Sequence, residues 1–155
     1  MTGHRQRVGN VPLVLLIFYT LFIAFMTLTP QQLDTSPEGP IGRVLDFFAS
    51  HRLTEWLTYG RVEKLANVAM FVPFGFLLAF HLGRRRWWIG WAVGAAFTCV
   101  IEGTQATLLS PTRYATVSDL ITNTLGAGIG AVLALVLMVL LPPREGPEST
   151  DRVVR

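Results

Sequence analysis

Four stretches of the chain, about residues 11–29, 65–82, 87–109 and 118–141, are almost unbroken runs of apolar side chains. Each is close to the roughly 20 residues that a helix needs to cross a hydrocarbon core about 30 Å thick. No charge falls within 11–29 or 120–141, the third stretch carries Glu102 alone, and the second is the shortest and holds Pro73. The pattern predicts an all-α integral membrane fold with four transmembrane helices making up one domain, 11–141.

The polar stretches divide the rest. Residues 31–40 are turn-rich. Beyond them Ile41, Val44, Leu45, Phe48, Leu53, Trp56 and Leu57 recur at helical spacing, with Arg43, Asp46, Arg52 and Glu55 in the gaps. That alternation suits a helix lying in the outer membrane interface, and equally a short helix packed on the bundle. The first stretch follows His4, Arg5 and Arg7, as the apolar core of a signal peptide would. It is too long for such a core and runs into Met26-Thr27-Leu28-Thr29-Pro30 rather than a small-x-small site, so it reads as a retained helix. Residues 1–10 form a short N-terminal segment, and 142–155, with their Pro, Glu and Ser, read as a disordered tail.

Composition supports lipid as the solvent. Apolar residues make up 51% of the chain and charged residues 15%, against about 25% charged in soluble domains. A net charge of +3 and a pI near 9.6 would suit nucleic acid binding, but the placement of the basic residues offers another account. Gly83-Arg84-Arg85-Arg86 lies between the second and third stretches, and Arg5 and Arg7 precede the first. Positive residues in short loops mark the cytoplasmic side, so both termini are expected there, with Trp87, Trp88 and Trp91 at the inner interface and the loop 30–64 outside. No nucleic acid partner is expected. The single cysteine, Cys99, rules out an intramolecular disulfide and reads as a buried structural thiol.

With that topology, depth follows from residue number. Asn67 falls in the first turn of the second helix, Glu102 and Gln105 near the outer end of the third, and Asp119 and Asn123 in the first two turns of the fourth, with Arg113 in the loop before it. Gly94, Thr98, Glu102 and Gln105 share one stripe of the third helix; Asp119, Asn123, Gly126 and Gly130 share one of the fourth. Each stripe mixes small residues, which let helices approach, with polar ones that need partners out of lipid. Asn67, Glu102, Gln105, Arg113, Asp119 and Asn123 are therefore expected to line an outward-facing polar pocket.

Other chemistries fit less well. Gly126-Ala127-Gly128-Ile129-Gly130-Ala131 can be written as the glycine fingerprint of a dinucleotide site, but that motif needs a preceding strand and turn, and here it lies inside a membrane span. It reads instead as a packing seam. His4, His51 and His81 are scattered, leaving no nucleophile beside a base, and Glu102-x-x-Gln105 lacks the histidine of a bundle-type metal pair. No metal and no cofactor are expected. Ser118 and Asp119 are both good N-cap types for the fourth helix, so a structural role for the cluster competes with binding. An ionised carboxylate at mid-membrane costs about 2.5–3.5 kcal/mol on insertion scales, and something must offset that for Glu102.

The blocks Asn67-Val-Ala-Met-Phe-Val-Pro73-Phe-Gly75, Glu102-x-x-Gln105, and Arg113 followed by Val117-Ser-Asp119-Leu-Ile-x-Asn123-Thr-Leu-Gly126-Ala-x-Ile-Gly130 resemble, in order and spacing, the conserved blocks of VanZ-like proteins. The resemblance spans residues 67–130 and gives Pro73, Gly75, Gly126 and Gly130 as motif positions. It implies a bacterial envelope membrane protein that affects susceptibility to the lipid-tailed glycopeptide teicoplanin or the handling of lipid-linked wall precursors; with the topology and the lack of a nucleophile beside a base, the leading expectation is a non-enzymatic multi-pass protein of the inner membrane. Membrane lipids and a lipoglycopeptide or wall precursor are the partners it suggests. The alternative is a membrane-embedded hydrolase or transferase that acts on a lipid-linked head group with Glu102 and Asp119.

The expected topology is directly testable. Reporter fusions at Gly39 and after Leu141 should register outside and inside respectively, and the reverse pattern would put the polar cluster in the cytoplasmic half.

Overall fold

In lipid no water is present to bond a free N–H or C=O, so an apolar segment satisfies its backbone by coiling into a helix. The computed structural model describes residues 11–29, 39–51, 54, 56–109 and 116–141, and every regular element among them is α-helical. The helices are α1 (Val11–Leu28), α2 (Pro40–Ala49), α3 (Tyr59–Leu82), α4 (Trp87–Leu108) and α5 (Val117–Leu140). α1, α3 and α5 are both long and apolar enough to cross a membrane. α4 has 22 residues, about 33 Å at 1.5 Å per residue.

α5 packs most extensively on α3 and next on α4, while α1 lies against α3 and touches α4. The α3–α5 crossing is made by backbone against backbone. A Cβ on Gly130 would collide with the Val72 carbonyl and stand 2.7 Å from the Phe76 nitrogen, and one on Gly75 would collide with the Ala127 carbonyl. Gly90 fits α4 onto α3, since a Cβ there would be 2.9 Å from both Ala79 N and Gly75 O. Around this seam Phe71, Phe74, Ile23 and Ile101 form the larger buried cluster, with Phe97 stacked on Phe74 at 5.2 Å. A smaller one forms on Ala79, Ala131 and Ala134.

Pro73 lies inside α3 and lacks the N–H that would bond the carbonyl four residues earlier. Beside that gap, the Tyr19 hydroxyl of α1 donates to the Met70 carbonyl at 2.9 Å. α3 ends at Gly83, whose φ of +80° only glycine adopts readily. Its turn leads through the exposed Arg84, Arg85 and Arg86 into α4.

Three expectations need correction. α3 begins at Tyr59 rather than residue 65: Arg61, Glu63 and Lys64 form an exposed, charged first part of the helix, which hydropathy cannot detect because it marks only the apolar part of a helix. The helix expected over 41–57 spans only Pro40–Ala49. Ser50 ends it, its hydroxyl donating to the Phe47 carbonyl at 2.7 Å and its N–H to that of Asp46 at 2.9 Å, and Trp56 belongs to the following turn. α2 makes no extended contact with another helix and exposes Val44 and Phe47. Cys99 is exposed, not buried: it follows the fully buried Thr98, and one residue is about 100° around a helix of 3.6 residues per turn. Residues 1–10, 31–38, 110–115 and 142–155, which include the expected N-terminal segment, tail and Arg113, lie outside the described residues.

Replacing Gly130 with Leu should lower the thermal unfolding midpoint in mild detergent sharply, because the added side chain has only backbone to displace; overpacking alone costs about 1–3 kcal/mol. Gly103→Ala is the matched control. Nothing lies within 4 Å of its would-be Cβ, and the midpoint should hold or rise.

Candidate functional site

The polar cluster is built around the start of α5. The first N–H groups of a helix have no partner inside it, and here Thr116 is the N-cap: its Oγ1 accepts from the Asp119 N–H at 3.0 Å. In a capping box the side chain three residues on bonds back to the cap's own N–H. In this chain that N–H donates instead to Oε2 of Glu102, on α4, at 2.9 Å. Asp119 is thereby free to accept from Nδ2 of Asn67, on α3, at 2.7 Å. A chain of three hydrogen bonds thus runs Asn67, Asp119, Thr116, Glu102 and ties α3, α4 and α5 together.

The cap is a correction. Neither Ser118 nor Asp119 takes that position, because both already lie within the helix, whereas Thr116 has extended backbone angles, φ −124° and ψ 138°. A signal for it was present, since Thr116-Val-Ser-Asp119 has the Ser/Thr-x-x-Asp/Glu form that precedes an apolar run. Asp119 remains in the first turn, where the helix dipole favours negative charge.

Asn67 stands eight residues inside α3 rather than in its first turn, because that helix starts earlier than its apolar run. Gln105 goes elsewhere: its Nε2 donates to the Thr27 carbonyl at 2.9 Å, satisfying an acceptor in the last turn of α1. Asn123, one turn deeper in α5 than Asp119, donates from Nδ2 to Thr98 Oγ1 of α4 at 2.9 Å, while its Oδ1 is buried without a partner among the described residues. The fully buried stripe of α4 runs Gly90, Gly94, Thr98, Ile101, Gln105. Glu102 sits at the edge of that stripe and is half-buried, as are Asn67 and Asp119.

The structure therefore brings Asn67, Glu102 and Asp119 into one connected group and assigns Gln105 and Asn123 to two separate helix contacts. Arg113 is outside the described residues. Pro73 lies in the middle of α3, and Gly75, Gly126 and Gly130 lie on the α3–α5 crossing. Thr116 and the Thr27 carbonyl are contributors that residue type alone does not single out. Among the described residues no three His, Cys, Asp or Glu side chains gather as a metal site.

Chemically, the group presents acceptors. The bonds above use Oε2 of Glu102 and Oδ1 of Asp119, leaving each carboxylate a second oxygen that none of them engages. A separate apolar groove of about 400 Å³ opens between α4 and α5, lined by Trp87, Trp91, Leu125, Gly128, Ile129, Val132 and Leu133. It lies toward the opposite end of α4 from Glu102.

A family model described as VanZ/LLP1 matches residues 13–139, which hold all of the polar group, the glycine seam and the groove. Comparison with curated proteins and with solved structures returns no match. The match covers most of the chain, and three of its helices are long and apolar enough to span a bilayer. The chain is an all-helical membrane protein belonging to the VanZ/LLP1 family.

Proposed function

We propose that this protein is a non-enzymatic component of the bacterial cell envelope, in the inner membrane, whose Asn67–Asp119–Thr116–Glu102 group forms the rim of an outward-facing site for a lipid-linked wall precursor or a lipoglycopeptide such as teicoplanin. The observation that carries the reading is the joining of two carboxylates through Thr116 at one end of the bundle. The segment 110–115, with Arg113, adjoins this group in the sequence. A carboxylate pair beside an arginine suits a head group that carries both hydrogen-bond donors and an anion.

In this reading α4 is the fourth span and both termini are cytoplasmic. Its lower hydropathy comes from residues turned into the bundle, since Gly90, Gly94, Thr98 and Gln105 are all buried. It packs on both α3 and α5, and a helix so placed runs with the bundle. α2, with Val44 and Phe47 exposed and no extended helix contact, lies in the outer interface. The competing reading, a hydrolase or transferase on a lipid-linked head group, draws on the same carboxylate pair as general acid and base.

Glu102→Gln and Asp119→Asn each keep a carbonyl oxygen to accept the bonds from Thr116 and Asn67, and each removes a charge. In a teicoplanin-sensitive host expressing this protein, each substitution should abolish the shift in susceptibility while the protein stays at wild-type level in the membrane. Unchanged susceptibility in both variants would sink the site. Turnover of a lipid-linked substrate by the purified wild type, lost in both variants, would favour the enzyme instead.

A further inference from the structure

The groove between α4 and α5 is almost wholly apolar, yet its Trp87 end adjoins the most basic part of the chain. Trp87 directly follows Arg84, Arg85 and Arg86, which are all exposed. The groove is about 400 Å³, within the roughly 300–1,000 Å³ of small-molecule sites. Gly128 lets the Trp91 indole lie against α5 as one wall of the slot, since a Cβ there would stand only 3.2 Å from its Cδ1 and Nε1. From Leu125 to Leu133 the lining extends about 12 Å along the helix axis at 1.5 Å per residue. An apolar slot of that length, with a triple arginine at one end, matches the two halves of one molecule: an acyl chain and an anionic head.

We propose that the protein holds an anionic diacyl phospholipid here, one acyl chain in the slot along Trp91, Ile129 and Val132 and the head-group phosphate on Arg84, Arg85 and Arg86. The slot and the arginines each match one half of this molecule. A neutral lipid fills the groove but leaves the arginines unmatched. A soluble phosphate matches the arginines but leaves the groove empty. The site is separate from the carboxylate group and does not depend on what that group binds.

The test uses the full chain in nanodiscs, where both leaflets have the same composition and insertion direction has no effect. The probes are phosphatidylglycerol and phosphatidylcholine with brominated acyl chains, which quench nearby tryptophan, added to an unbrominated background. Brominated phosphatidylglycerol should quench at a mole fraction about tenfold or more below that needed for brominated phosphatidylcholine. Arg84→Gln/Arg85→Gln/Arg86→Gln should abolish the preference, since each basic contact with anionic lipid contributes severalfold and three together on the order of a hundredfold. The triple Lys variant, which keeps the charge, should retain it, and added salt should weaken it. Val132→Phe, which narrows the slot from an exposed position, should reduce quenching by phosphatidylglycerol. Trp91→Phe should remove a large part of the quenched signal. Equal quenching by the two lipids, a preference that survives the triple Gln variant, or full competition by soluble glycerol phosphate would overturn the proposal.

Discussion

The carbonyls of Val72 and Ala127 occupy the places where a methyl group would have to be if Gly130 and Gly75 were any other residue. Helices in a bilayer gain little from burying apolar surface, because lipid is as apolar as their side chains, so they associate by close packing and interhelical hydrogen bonding. The α3–α5 crossing is such a contact. α4 then fits onto both partners through Gly90 and Gly94. The polar group depends on this approach: the bond from Asn67 to Asp119 is 2.7 Å long and bridges α3 to α5, a span that side chains this short cover only when the backbones are near.

The same approach explains why polar residues are tolerated in so apolar a chain. Two of them satisfy groups that the helix ends themselves leave open. Glu102 takes the cap N–H at the start of α5, and Gln105 takes a carbonyl in the last turn of α1. In hydrocarbon each such group left alone costs several kcal/mol, so these residues stabilise the fold whatever they bind. A site and a scaffold are not exclusive alternatives here. The bonds that hold α5 in place also fix two carboxylates at one end of the bundle, and they do so without using every carboxylate oxygen.

The two ends of α4 differ in kind. At the Glu102 end the helices meet through side-chain hydrogen bonds, and the partly buried groups are acidic or amide. At the Trp87 end an apolar slot opens between α4 and α5, and three exposed arginines directly precede Trp87 in the chain. A helix with an acidic end and a basic, aromatic end has a preferred direction in a membrane whose leaflets differ in charge.

Much of the architecture was legible along the chain. Unbroken apolar runs give helices because nothing else satisfies the backbone in lipid, and the regular spacing of Gly126 and Gly130 places both on one face. The limits of α2 and α3 were not legible, because hydropathy marks where lipid is and not where the backbone stops coiling. Partner choice was equally hidden. Glu102 and Gln105 are one turn apart and similar in character, yet one reaches the cap of α5 and the other the end of α1. Asn123 meets Thr98 rather than the carboxylates. Cys99 faces outward because Thr98 beside it faces in. Sequence by itself determined the solvent, the helices and which residue types sit near which end. Only the tertiary structure decided which of them touch, since that depends on helix rotation, and about 100° per residue is enough to turn a side chain from one neighbour to the next.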